Sequence, residues 1–217
     1  MVVWLFFCIF ALIYNKKQLE IMPNVPITPR EQLAWDFAKA AHAGQVRKFT
    51  GLPYFDNHVK PVNGTVKLYT KDEDLLIAAL LHDVPEDCYD NIWDGYAEIK
   101  RIFGKRVADL VMELTSNEDE IKHRYDGSKK AYLVYKLTHM SDDALIIKLC
   151  DRLKNIEDAF TASDKFRKNY FNETVALMAA VQNGRTLNRI QTLLVGEINS
   201  KLDNISSIFK IKRVSEI

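Results

Sequence analysis

Apolar positions along this chain recur mostly at helical spacing, and they divide it into a series of helices separated by short polar connections. The first starts at Thr28-Pro29-Arg30-Glu31, where Thr28 can cap, proline suits the first helical position and Glu31 completes a capping box. Leu33, Ala34, Phe37, Ala38 and Ala41 then form one stripe, and Gly44 marks the stop. A turn-rich loop over 48–57 precedes a helix at about 59–69. From Leu75 to Leu81 the chain is almost unbroken in its hydrophobicity, so a helix at about 74–83 is expected to be buried on all sides. Further helices are expected at 93–103, 107–114, 129–140, 142–159, 165–183 and 185–203. The polar stretch 117–128 reads as a long mobile loop. No segment alternates with period two over a useful length, which makes the fold class all-α, a single helical bundle.

The ends of the chain break this pattern. Met1 to Tyr14 carries no charged side chain, yet fourteen residues are too few for a membrane span, which needs about 20. There is no basic n-region and no small-x-small cleavage site, so a signal peptide also fits poorly. Residues 1–21 are expected to lie outside the fold, with the domain occupying 22–205 and a tail at 206–217; a start at Met22 would leave that domain complete.

Composition narrows the function classes. The 217 residues are 47% apolar and 27% charged, as in ordinary globular proteins, and one domain is expected. A formal charge of +1 and the lack of any basic stripe disfavour nucleic-acid binding and attraction to an anionic membrane. Cys8, Cys88 and Cys150 are widely spaced, which argues for a reducing, cytoplasmic setting and against a disulfide framework or a thiolate zinc site.

The candidate chemistry sits where the buried run ends, at His82-Asp83-Val84-Pro85-Glu86-Asp87. An imidazole and three carboxylates at the end of an apolar helix carry a large desolvation cost unless something pairs with them, and a divalent ion is an economical partner. His58, His82, Asp83 and Asp151 are the candidate ligands; mixed imidazole and carboxylate donors suit Mn, Fe, Co or Zn. Asp151 shares a helix face with Lys148 and Asn155, opposite the stripe Leu145, Ile146, Leu149, Leu153 and Ile156.

These residues fall in ordered segments: His42-Ala43-Gly44-Gln45-Val46-Arg47-Lys48, Gly51-Leu52-Pro53-Tyr54, Ala78 to Asp83, Glu86-Asp87, and Lys148 to Asn155. The set resembles the HD-domain metal-dependent phosphohydrolases, and within them the hydrolase domain of RelA/SpoT alarmone enzymes and the stand-alone small alarmone hydrolases. The resemblance implies an all-α HD bundle and a manganese-dependent enzyme, other divalent metals being possible, that removes the 3′ pyrophosphate of (p)ppGpp. It implies that Glu86 and Asp87 are catalytic, and that Arg47, Lys48, Lys148 and Asn155 serve the nucleotide substrate, with Lys129 and Lys130 as looser additions. A homo-oligomer is compatible with it. Two other readings remain: an HD phosphatase acting on NADPH, an RNA 3′ end or a nucleoside monophosphate, and a non-catalytic nucleotide-binding or regulatory module.

The sequence departs from the family pattern at two places. Three residues separate Tyr54 from His58 where two are usual, so a one-residue bulge is expected there. Pro85 stands between the metal pair and the acids, so a helix break is expected at that point.

Overall fold

The computed structural model describes residues 28–211, and the expectations for 1–21 and for the end of the tail lie outside that range. Among the described residues eleven α-helices follow one another: α1 Pro29–Ala41, α2 Lys60–Val66, α3 Glu73–Leu81, α4 Val84–Cys88, α5 Ile92–Phe103, α6 Lys105–Leu114, α7 Glu118–Arg124, α8 Lys129–His139, α9 Asp142–Ala159, α10 Asp164–Gly184 and α11 Arg189–Phe209. A single π-helical turn, Phe55–Val59, runs directly into α2. Among the described residues there is no strand, only an isolated bridge between Val46 and Pro53. The all-α expectation holds.

The short apolar α3 and the long α9 build the core. In α3 every side chain from Leu75 to Leu81 is at most 4% exposed, so this helix has no solvent face, as its sequence implied. Asp72 starts it by accepting the amides of Asp74 and Leu75. The 18-residue α9 is the second spine; it packs against α2, α3, α6, α10 and α11. The helices α1, α2 and α6 enclose α3, and α5 packs on α4 and α6.

Several local expectations change. Thr28 caps α1, accepting the Glu31 amide, but Glu31 does not close a capping box. Its side chain is 1% exposed and pairs with Lys67 at 2.5 Å, tying α1 to the end of α2. The stretch read as a mobile loop contains α7, which Asn117 caps through the Glu120 amide. Acids in its first turn and bases in its last complement the helix dipole. The last helix runs on to Phe209, beyond the expected end at 203.

The polypeptide does break near Pro85. The third helix stops at Leu81, and proline occupies the first turn of the new short helix α4, where no intrahelical N–H bond is lost. Gly95 lets α5 press on this corner, since a Cβ there would lie 2.9 Å from the Pro85 Cα. The α1 helix ends as expected near Gly44, whose φ of +80° is a left-handed conformation suited to glycine.

Candidate metal centre and phosphoryl cleft

Three elements meet where α3 ends. His82 and Asp83 lie at the α3–α4 junction, His58 in the π turn, and Asp151 in the middle of α9. The π turn accommodates the extra residue between Tyr54 and His58: one inserted position widens the helix and turns His58 inward, leaving it 2% exposed.

Three of the four side chains expected to share an ion, His58, His82 and Asp151, converge, and Asp83 lies beside both histidines. His58 Nε2 lies 3.2 Å from Asp151 Oδ1 and 3.4 Å from Asp83 Oδ2. His82 Nε2 lies 2.8 Å from Asp83 Oδ2 and 3.9 Å from Asp151 Oδ1. Ligand atoms of His58, His82 and Asp151 all fall within 4.8 Å of one another, and theirs is the only such group found among the described residues. Donors at right angles around an ion, each about 2.1 Å from it, would be about 3 Å apart.

Tautomer chemistry supports the fit. His82 Nδ1 lies 2.9 Å from the Ala79 carbonyl oxygen, which can only accept, so Nδ1 carries a proton. In neutral imidazole the buried Nε2 then presents a lone pair toward Asp83 Oδ2, 2.8 Å away. A lone pair facing carboxylate oxygens is the arrangement a cation would relieve. Against the burial that would lower it, Asp83 raises His82 to about 9. Burial would raise Asp83, but the His82 charge beside it holds it well below the usual carboxylate range. Asp151 is likewise held low despite burial, chiefly by Lys148, whose Nζ donates to its Oδ2 at 2.9 Å.

A cleft of about 200 Å³ opens on this centre. Its walls include His58, Asp83, Asp151, Glu86, Lys148 and Asn155, so six of the expected site residues share one cavity. Glu86 is fixed by the Ser116 amide, which donates to its Oε2 at 2.8 Å. Asp87 is not part of the cleft wall; desolvation, then the charges of Asp83 and Glu86, push its carboxyl up to about 6. Asn155 donates to Asp151 Oδ1 at 2.6 Å. Arg47 sits over the Tyr54 ring and donates through Nη2 to Asn155 at 2.9 Å and to Asp158. Lys48 lies outside the cleft wall, its Nζ over the rings of Phe49 and Phe166. Of the looser additions, Lys129 lines the cleft and Lys130 does not.

Tyr54 was not among the expected site residues, yet its hydroxyl donates to Asp83 Oδ2 at 2.7 Å. Burial, then the Asp83 charge, raises its pKa, keeping the phenol protonated as a donor. Arg152, Tyr170 and Glu173 also line the cleft; nothing in the local sequence distinguishes them from the outer face of a helix. A larger cavity, about 610 Å³, is lined by Trp93, Tyr96, Tyr132, Tyr135, Lys136 and their neighbours, away from the ligand cluster.

An HD domain family model matches residues 34–186. The chain belongs to the HD domain family. That span includes the candidate ligands His58, His82, Asp83 and Asp151, from the π turn to α9. Among curated HD relatives, a guanosine-3′,5′-bis(diphosphate) 3′-pyrophosphohydrolase of Aquifex aeolicus is 35% identical over 150 residues, 68% of this chain and 20% of that protein. The bifunctional (p)ppGpp synthase/hydrolase SpoT of Escherichia coli K12 is 32% identical over 168 residues, 76% of this chain and 23% of that one. The Drosophila melanogaster 3′-pyrophosphohydrolase MESH1 is 32% identical over 124 residues, 56% of this chain and 65% of that protein. This chain therefore spans about a fifth of the length of the bacterial relatives. A solved structure described as "A metazoan ortholog of SpoT hydrolyzes ppGpp and plays a role in starvation responses" shares the fold, with a TM-score of 0.66 at 24% identity over 85% of this chain and 98% of that one. Among the described residues, no helix is long and apolar enough to cross a membrane.

Proposed function

We propose that this HD domain is a manganese-dependent phosphohydrolase that removes the 3′ pyrophosphate of (p)ppGpp, giving GDP or GTP and pyrophosphate. The observation that carries the reading is the convergence of His58, His82 and Asp151 ligand atoms within 4.8 Å beside a cleft. The substrate is argued from the relatives, several of which are named (p)ppGpp 3′-pyrophosphohydrolases.

In this reading His58, His82, Asp83 and Asp151 hold the ion. When bound, it neutralises charge on phosphoryl oxygens and acidifies water near neutral pH. Lys148, fixed on Asp151, keeps that carboxylate ionised and adds positive charge at the cleft wall. Glu86 faces the cleft and orients the attacking water. Glu86 then accepts the proton that the water gives up, and Asp87, its neighbour in the chain but outside the cleft wall, with a carboxyl near 6, can take that proton on. Water oxygen bonds to phosphorus, the bond from phosphorus to the ribose 3′ oxygen breaks, and that oxygen leaves with a proton. Arg47, Lys48 and Asn155 would hold the rest of the nucleotide at the rim, where a guanidinium can stack and bind phosphate.

The test is incubation of the full chain with ppGpp and Mn²⁺, following pyrophosphate release. Turnover that Glu86→Gln removes while Mn²⁺ content stays at the wild-type level is expected. Absence of pyrophosphate from a protein carrying stoichiometric Mn²⁺ would overturn the reading, and a screen of NADPH and 2′-, 3′- and 5′-nucleotides would then identify another HD substrate.

A further inference from the structure

Glu86 belongs to a helix of only five residues, and no contact within that helix holds its carboxylate toward the cleft. The anchoring donor is the Ser116 amide, thirty positions further along the chain. Ser116 lies in the connection between α6 and α7, where Thr115 and Asn117 both have extended backbone. Extended backbone between two helices has no ladder to fix it, and its buried polar groups need partners from elsewhere. Thr115 is 2% exposed and Ser116 is 8% exposed.

Val111 of α6 accepts the Thr115 amide and hydroxyl, and further partners come from one face of α8. Lys136 Nζ donates to the Thr115 carbonyl and, at 3.1 Å, to the Tyr132 hydroxyl. The same hydroxyl accepts the Asn117 amide at 3.2 Å. Tyr132 and Lys136 are four residues apart, so α8 presents them together. The peptide group before Ser116 is therefore gripped at its oxygen, and the amide after Ser116 is gripped through the phenol. No carboxylate among the described residues lies within ion-pair distance of Lys136. Burial, then the Lys148 charge, lowers its pKa to about 8. An ammonium buried against backbone and a phenol is an expensive way to stabilise a loop, since apolar packing would avoid the desolvation.

We infer that Lys136 is a positioning residue of the hydrolytic site: with Tyr132 it clamps Thr115–Asn117 so that the Ser116 N–H aims the Glu86 carboxylate into the cleft. The inference rests on the phosphohydrolase reading for its consequence in turnover, but the clamp itself can be observed without any substrate.

The experiment uses the full chain loaded with Mn²⁺. In Lys136→Met, kcat for ppGpp is expected to fall about ten- to a hundredfold, the scale of a misaimed catalytic group, with KM and Mn²⁺ stoichiometry unchanged. Tyr132→Phe removes only the bridging hydroxyl and is expected to lower kcat less, in the same direction; it decides the matter if Lys136→Met does not fold. Wild-type kcat in folded variants, or a loss confined to KM or metal content, would overturn the inference. Independently of activity, the Ser116 amide resonance of the metal-free protein is expected to shift in both Lys136→Met and Tyr132→Phe. An unmoved resonance in both refutes the clamp even if wild-type protein never turns over ppGpp, which would by itself count only against the substrate.

Discussion

Replacing Tyr54 with Phe removes one hydroxyl and almost no volume, which isolates the role of the bond to Asp83. The ring would keep its place between His42 and His58, whose centroids lie 5.0 and 5.1 Å away, and beneath the Arg47 guanidinium. What is lost is a 2.7 Å hydrogen bond to an ionised, partly buried carboxylate. Bonds to charged groups contribute about 1.5–3 kcal/mol. If that energy serves to orient Asp83 toward the ion, it reappears as a roughly ten- to hundredfold weaker metal affinity, the usual cost of removing an outer partner of a ligand. Calorimetric titration of the metal-free protein with Mn²⁺ measures it, with far-ultraviolet circular dichroism as the check on folding. A dissociation constant within twofold of wild type in a folded Tyr54→Phe protein would refute the reasoning.

Other consequences follow from the fold. Leu80→Ala empties a site that is 0% exposed in the last turn of α3 and is expected to cost about 2–5 kcal/mol in urea unfolding; a loss below about 1 kcal/mol would contradict the packing described. Asp142 is held below its usual pKa first by Gln191 and then by Arg185, which join the start of α9 to α10 and α11. A depressed carboxyl contributes stability that is present above its unfolded pKa, near 3.8, and lost as pH falls through the lower folded value. Asp142→Asn should therefore flatten the acid arm of a stability-versus-pH curve below about pH 4. The effect should be well under about 1 kcal/mol because the carboxylate is mostly exposed. An unchanged acid arm would show that the contact contributes nothing.

Legibility in the sequence followed the range of the interactions. The α3 helix was readable because an unbroken apolar run leaves no alternative to burial, and Asp72 marks its start locally. The grouping of His58, His82 and Asp151 was expected because few other partners suit that many imidazoles and carboxylates, and their ligand atoms do come together. The α7 helix was misread as a loop because it buries only Ile121, although its capping asparagine and its acid-to-base order were visible. Glu31 looked like a capping-box residue because the sequence shows its distance from Thr28 and not its approach to Lys67. The Tyr54–Asp83 bond, the Ser116 hold on Glu86 and the Lys136 contacts all join residues from separate elements. No spacing rule along one element reaches such pairs. Arg47 carries a lesson of the same kind: a residue expected to wait for substrate is engaged with Asn155 and Asp158.

Anomalous diffraction from crystals of the full chain grown with Mn²⁺ tests the central geometry most directly. One strong peak is expected, bounded by the ε nitrogens of His58 and His82 and by carboxylate oxygens of Asp83 and Asp151, at about 2.0–2.3 Å from each. A fully Mn²⁺-loaded protein with no peak among these four side chains, or with its ion elsewhere, would contradict the account.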